Sequence, residues 1–194
     1  MATTIVMVRH GETDWNRERR FQGHADIPLN EWGRAQVRAL AVKLAGEAFS
    51  VAYTSTLRRA VESAEILAAE LGFELRPSEA LKEVHVGSWS GLTVPEVEER
   101  FPDGHRRWVG SRAGWEDGET YEELGMRVVV ELRRIGEAHP DAQVLAVTHG
   151  GPIRSVLAAL SGLPFEASRH EIRFVENCEV VRLTIQDGVL KAVH

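Results

Sequence analysis

Val6-Met7-Val8-Arg9-His10-Gly11-Glu12-Thr13 is the stretch on which the fold turns. Ile5 to Val8 are apolar without alternation and too few for a helix, the pattern of a strand covered on both faces of an α/β sheet. Ligands of such sheets gather at the carboxyl ends of the strands. Directly after the apolar run come a guanidinium, whose planar fork suits phosphate, an imidazole, and a glycine that lets the backbone turn and a ligand approach closely. The stretch reads as a strand that ends in a phosphate site containing a histidine. Taken alone, it fits a strand that ends in solvent equally well.

With 194 residues, 43% of them hydrophobic, the chain can bury a sizeable core. One domain over residues 1–194 is expected, with a lid-like insertion around residues 88–118. The single cysteine, Cys178, cannot form an internal disulfide. No basic segment followed by an apolar one opens the chain, and no apolar run reaches membrane-spanning length, so a cytoplasmic protein that meets no membrane is expected. The formal charge of −6 argues against a nucleic-acid surface, which would need many Lys and Arg side chains to neutralise phosphates. Positive charge is instead local, at Arg17, Arg19 and Arg20, at Arg58 and Arg59, and at Arg106, Arg107 and Arg112.

Taken in order, Asn16 to Asn30 reads as a polar loop. Asn30 caps a helix to about Ala45 with Trp32, Ala35, Leu40 and Leu44 as its apolar stripe. Val51 to Tyr53 is a second strand, and Thr54 and Ser55 are placed to cap a helix with Leu57, Val61, Ala64, Leu67, Ala68 and Leu71 on one face, stopped by Gly72. This alternation of strand and helix signals a parallel sheet. Phe73 to Arg76 is a third strand candidate. Thr93 with Glu96, and Thr120 with Glu123, have the spacing of capping boxes, the first opening a helix to about Phe101 and the second one that Pro140 ends. Between them, Pro102 to Gly118 has no clear period and is the lid candidate. Val144 to Thr148 is a buried strand, Pro152 opens a helix, and Cys178 to Ile185 reads as the final strand.

An apolar strand running into His-Gly occurs twice, at His10-Gly11 and at His149-Gly150. If the two strands are parallel neighbours, their imidazoles meet at one edge of the sheet, and the helix that begins at Gly151-Pro152 turns its free N–H groups to the same place, where an anion is the natural occupant. The competing reading of paired histidines is a metal site. None of the eight histidines has a close partner at metal-ligand spacing, however, and there is no cysteine pair.

Arg9-His10-Gly11 with Glu12-Thr13 and Asn16, then Gln22-Gly23, Asp26, Pro28-Leu29-Asn30 and Gly33, resemble the signature of the histidine phosphatase superfamily, in its phosphoglycerate-mutase-like branch. Thr54-Ser55 with Leu57, Arg59-Ala60 and Ala64, Leu81 and Glu83 with Gly87 and Gly91, and Thr148-His149-Gly150-Gly151 follow in the family's order. The resemblance reaches about residue 160. It implies a three-layer α/β/α sandwich with a mostly parallel mixed sheet. It also implies that His10 is the nucleophile that becomes phosphorylated, that Arg9, Arg59 and His149 clamp the phosphoryl oxygens, that Glu83 is the proton donor, and that Asn16, Gln22, Gly23 and Gly150 contact substrate. Family spacing from Ser55 through Leu57 selects Arg59 over Arg58, and Glu12 and Asp26 are the weaker candidates for the acid. No metal and no cofactor are implied. The expected partner is a small phosphorylated metabolite, and a homodimer is compatible with the chain.

In the mutases of this family the glutamate is followed by an arginine and, two residues on, by a tyrosine that grip a substrate carboxylate. Val84 and Val86 occupy those positions here, and the chain is shorter than those mutases. The resemblance therefore implies a phosphatase acting on small phosphomonoesters, with phosphoglycerate mutase as the alternative and a non-catalytic phospholigand-binding protein as the remaining one. Arg17, Arg19, Arg20, Phe21, His24 and Pro102 to Gly118 are expected to shape the pocket, and His85 and His105 are further candidates to line it. Trp89, Trp108 and Trp115 read as core or lid packing. His139, His170 and His194 read as surface residues.

Overall fold

The computed structural model describes residues 2–162 and 172–193. In chain order its elements are β1 (Ala2–Arg9), α1 (Asp14–Arg17), α2 (Glu31–Leu44), β2 (Val51–Ser55), α3 (Arg58–Leu71), β3 (Leu75–Ser78), 3-10 turns at Glu79–Leu81 and Gly87–Trp89, α4 (Val94–Arg100), α5 (Pro102–Val109), α6 (Tyr121–Ala138), β4 (Gln143–Thr148), α7 (Gly150–Ser161), β5 (Val180–Gln186) and β6 (Val189–Ala192).

The strands form one sheet in the order β3-β2-β4-β1-β5-β6. The first four are parallel, β5 is antiparallel to β1, and β6 is antiparallel to β5. The continuous apolar runs of β1 and β4 divide between two cores, because successive side chains in a strand point to opposite faces. Ile5, Met7, Val144 and Ala146 pack with Leu124, Val128 and Leu132 of α6 and with Ile153 and Val156 of α7. Val6, Val8, Leu145 and Val147 pack with Val37 and Leu40 of α2 and with Ala60, Ala64 and Leu67 of α3. The result is the three-layer sandwich that the sequence implied. Among the described residues no helix is long and apolar enough to cross a membrane.

Both capping boxes are formed, Thr93 with Glu96 and Thr120 with Glu123. Asn30 caps α2 by accepting the Gly33 N–H at 2.7 Å. Other readings need correction. Trp32 is 63% exposed, and Gly33, Val37, Leu40, Ala41 and Leu44 form the buried stripe of α2. Thr54 and Ser55 belong to β2, and the first N–H of α3, that of Arg58, is taken by Asp26 from a distant loop at 2.8 Å. Asn16–Asn30 is not all loop, since α1 begins before it and reaches Arg17. Pro102 to Gly118 opens with α5, which a short window rich in Arg and Trp concealed. Cys178 to Ile185 is not the last strand: Asp187 and Gly188, both at positive φ, turn the chain back into β6.

Gly11 and Gly33 let the start of α2 lie directly on the end of β1. A Cβ on Gly33 would overlap the Glu12 carbonyl, and one on Gly11 would meet the Gly33 carbonyl. Gly33→Ala is expected to cost about 1–3 kcal/mol, as overpacking against backbone does. Gly46→Ala, where a Cβ meets open space, should stay within about 0.5 kcal/mol of the parent. Urea unfolding midpoints of the two variants measure the difference.

Candidate active site

Parallel pairing of β1 with β4 in the register Arg9↔Thr148 brings the next residue of each strand to the same sheet edge. The His10 N–H donates to the Thr148 carbonyl at 3.0 Å, and the rings of His10 and His149 lie edge to face with centroids 5.0 Å apart. They are 2% and 0% exposed. His10 Nδ1 lies 2.6 Å from the Gly11 carbonyl, which can only accept, so the proton sits on Nδ1 and the Nε2 lone pair is free. His149 Nε2 is 2.7 Å from Ser55 Oγ, and its Nδ1 has no partner.

Two guanidiniums share the pocket. Arg59, on the first turn of α3 and 0% exposed, donates to the Gly23 carbonyl at 2.9 Å and the Ala25 carbonyl at 2.8 Å. Arg9 donates to the Val175 carbonyl at 2.6 Å, and its guanidinium carbon lies 4.9 Å from the centre of the Phe174 ring. The Nε of each is buried without a partner, and neither guanidinium is in a salt bridge among the described residues. Arg58 instead points outward to Glu62. Burial, then the positive charges of Arg59 and Arg9, push His10 well below its ordinary pKa. His149 is pushed down by burial and then by Arg59, His10 and Arg9. Burial also lowers Arg59 to about 10.

Glu83 stands between the guanidiniums and α7. Its Oε1 accepts the Val84 N–H at 2.9 Å, and its Oε2 accepts the Gly151 N–H at 3.3 Å. A Cβ on Gly151 would overlap the carboxylate, so glycine is needed there. The helix N-terminus expected to meet an anion thus meets a carboxyl group of the chain itself. The Glu83 loop is fixed from behind. Arg127 of α6 donates to the carbonyls of Ala80, Lys82 and Glu83 at 2.8, 2.9 and 3.0 Å and is held by Glu119. His24 Nε2 donates to the Glu83 carbonyl at 2.8 Å, and the Thr148 hydroxyl donates to the Leu81 carbonyl at 2.7 Å.

These groups open onto a cavity of about 600 Å³. Of the sequence candidates, Arg9, His10, Asn16, Gln22, Gly23, Arg59 and Glu83 line it, with Arg19, Arg20, Phe21 and Trp108. His149 stands behind His10. Gly150 stands behind Arg9, where a Cβ would be 3.6 Å from Arg9 Nε. Other candidates lie elsewhere. His24 and His85 pair at 4.9 Å over a separate shallow hollow, His105 stacks on Trp108, and Arg17 pairs with Asp14. Glu12 accepts from Asn30, and Asp26 is taken by α3. Trp89 and Trp115 are core. His139 is half-buried and bonded to Tyr53, while His170 and His194 lie outside the described residues.

The sequence reading missed the wall made by Phe174, Val175, Glu176 and Asn177. Asn177 donates to the His10 carbonyl at 2.9 Å and approaches Asn16 Oδ1 at 3.4 Å. Antiparallel pairing of β5 on β1 delivers this segment. A strand was legible there, but nothing in its composition names its neighbour. Arg127 was missed because its partners are backbone carbonyls, which leave no sequence signal.

The three-layer sandwich holds two neutral imidazoles beside buried guanidiniums, at the carboxyl ends of adjacent parallel strands, an arrangement suited to an anionic ligand. The chain matches the model of the histidine phosphatase superfamily (branch 1) over residues 5–194 and belongs to that family. Phosphoglycerate mutase-like protein 4 of Arabidopsis thaliana is 38% identical over 177 residues, covering 89% of this chain and 74% of that protein. Phosphoserine phosphatase 1 of Hydrogenobacter thermophilus is 34% identical over 161 residues, covering 82% and 76%. Among solved structures, Bacillus stearothermophilus YhfR superposes with a TM-score of 0.92 at 30% identity, covering 98% of this chain and 95% of that one.

Because His10 and His149 are folded with lowered pKa values, acid favours the unfolded chain, where each titrates near 6.5. Their contribution to stability is complete above that pH and is lost as pH falls below it, at up to about 1.4 kcal/mol per pH unit for each histidine. Thermal unfolding followed from about pH 7.5 to about pH 5.5 should show a steeper loss than in a His10→Gln, His149→Gln double variant.

Proposed function

We propose that this protein is a metal-independent phosphatase that hydrolyses small phosphomonoesters through a phosphohistidine on His10. The observation that carries this reading is the pair of buried guanidiniums, Arg9 and Arg59, which among the described residues have no carboxylate in a salt bridge with either and have unpartnered Nε groups beside a neutral imidazole. Buried charge is costly, Glu83 offsets it only from a distance, and a bound phosphoryl dianion is the counter-ion that lowers the remaining cost.

The substrate phosphoryl group sits between Arg9 and Arg59, and the Nε2 lone pair of His10 attacks phosphorus in line while the P–O bond to the alcohol breaks. The transition-state charge spreads over the phosphoryl oxygens, where the guanidiniums are already placed. Ser55 Oγ accepts the Leu57 N–H, so its own proton can go to His149 Nε2. His149 then presents Nδ1–H to a phosphoryl oxygen without carrying charge. Glu83 gives its proton to the departing alkoxide and, once the alcohol has left, takes one from the water that cleaves the P–N bond. Asn16, Gln22 and Gly23 flank the phosphoryl group, and residues 88–118 cover the site within one domain. Val84 and Val86, apolar where a carboxylate grip would need a cation and a hydroxyl, favour hydrolysis over the mutase reading.

The purified protein should turn over p-nitrophenyl phosphate equally with and without EDTA, and His10→Ala should abolish turnover. Brief exposure to substrate should leave acid-labile phosphate on the parent and none on His10→Ala. Absence of turnover with retained phosphate binding would favour the binding-protein reading. Arg59→Ala should lose about 10²–10³ in kcat, as loss of one oxyanion donor does, whereas Arg58→Ala should change little. Glu83→Gln should impair alkyl phosphates far more than p-nitrophenyl phosphate, whose leaving group needs no proton; equal impairment of both would remove Glu83 from the acid role.

A further inference from the structure

The cavity continues well beyond the phosphoryl site, and its walls state what kind of alcohol leaves. An alkoxide that takes its proton from Glu83 emerges beside that carboxylate, where the next inward-facing residues are Val84 and Val86. Beyond them the wall is Phe21 and Trp108, edge to face at 5.4 Å, with Phe21 also packed at 5.2 Å on the buried Trp89. On another side stands Phe174, which rests on the Arg9 guanidinium yet is 57% exposed. A large apolar ring left open to water at the mouth of a cavity has a face to offer a ligand. The cavity, at about 600 Å³, is within the range of sites that enclose drug-sized ligands, far more room than phosphate on a three-carbon acid fills.

The polar rim does not change this reading. Arg20 is already engaged by Glu18, Glu96 and the Gly91 carbonyl. Arg19 is exposed, and Glu176 stands on the same rim with opposite charge. A carboxylate on the first carbons of the leaving group would be pressed against Val84 and Val86, whose side chains offer no donor to replace the water it loses.

We propose that the leaving alcohol of the natural substrate carries a ring or comparable apolar body, held against the Val84, Val86, Phe21 and Trp108 wall and covered by Phe174. Short carboxylate-bearing phosphomonoesters are then poor substrates. The inference rests on the phosphatase reading of the same site. It names Trp108 and Phe174 as specificity-determining residues.

The test compares alcohols of similar leaving-group acidity, so that chemistry does not mask binding. Purified protein is assayed with 3-phenylpropyl phosphate, n-propyl phosphate, O-phosphoserine and 3-phosphoglycerate, and kcat/KM is compared. The phenylpropyl ester should exceed the propyl ester by at least about tenfold, the scale on which an apolar pocket discriminates. Both carboxylate esters should fall below it. Trp108→Ala and Phe174→Ala should each shrink the phenylpropyl-to-propyl ratio. Affinities of 3-phenylpropylphosphonate and propylphosphonate, measured by calorimetry, read the same preference without turnover. Equal kcat/KM and equal affinities, or a carboxylate ester as the best substrate, would overturn the proposal and point to Arg19 as a carboxylate grip. If no ester is turned over while the phosphonates still differ, the phosphatase reading fails and the apolar subsite stands.

Discussion

Two cations buried side by side, with no acid in salt-bridge contact among the described residues, are the constraint around which this protein is arranged. Arg9 and Arg59 repel each other and lose hydration; among the described residues their hydrogen bonds go to backbone carbonyls, Val175 for one and Gly23 and Ala25 for the other, and Glu83 attracts both without an ion-pair contact. Carbonyls solvate a guanidinium without neutralising it. Burial first, and then the positive potential that results, keep His10 and His149 neutral, and that potential leaves the pocket favourable to an anion. Stability and phosphate chemistry therefore pull in opposite directions at this site. The surrounding sandwich, with its two apolar cores, supplies the stability that holds the site in place.

The supports of that site come from many parts of the chain. The end of β1 gives Arg9 and His10, the end of β4 gives His149, the first turn of α3 gives Arg59, and the loop after β3 gives Glu83. Glycines at 11, 33 and 151 allow backbone and carboxylate to approach more closely than any side chain would permit. Arg127 and His24 clamp the Glu83 loop through its carbonyls, so the carboxylate position is set by α6 and by the loop after α1 as much as by its own neighbours. Distant residues such as Arg127 thereby set the position of the carboxylate that we propose as the proton donor, where an ångström of misplacement carries a large kinetic cost.

Much of the framework was legible in the residues, and the failures have a common cause. Strands β1, β2 and β4 and the capped helices α2, α4 and α6 follow from local rules: an apolar run, a side chain that accepts a nearby N–H, a proline or glycine that ends the pattern. The local rules failed where the partner was remote. Thr54 and Ser55 looked like caps for α3, but the acceptor is Asp26, thirty-two residues earlier. Trp32 looked like core, yet its direction on α2 is solvent. His24, His85 and His105 looked like pocket residues, and packing turned them elsewhere.

The sequence by itself determined the class of fold, because the apolar runs and the two His-Gly strand ends are local facts, and its resemblance to a known family named the candidate groups of the site. It also singled out Arg59 over Arg58, an assignment that burial of one and exposure of the other accord with. Only the tertiary structure decided what surrounds them. The antiparallel return of β5 on β1 brings Phe174 to Asn177 over the pocket, and the packing of Phe21 and Trp108 makes its far wall apolar. The reason is physical: strand and helix formation depend on neighbours in the chain, whereas the choice of a sheet partner and the lining of a cavity depend on contacts between segments that the sequence holds far apart.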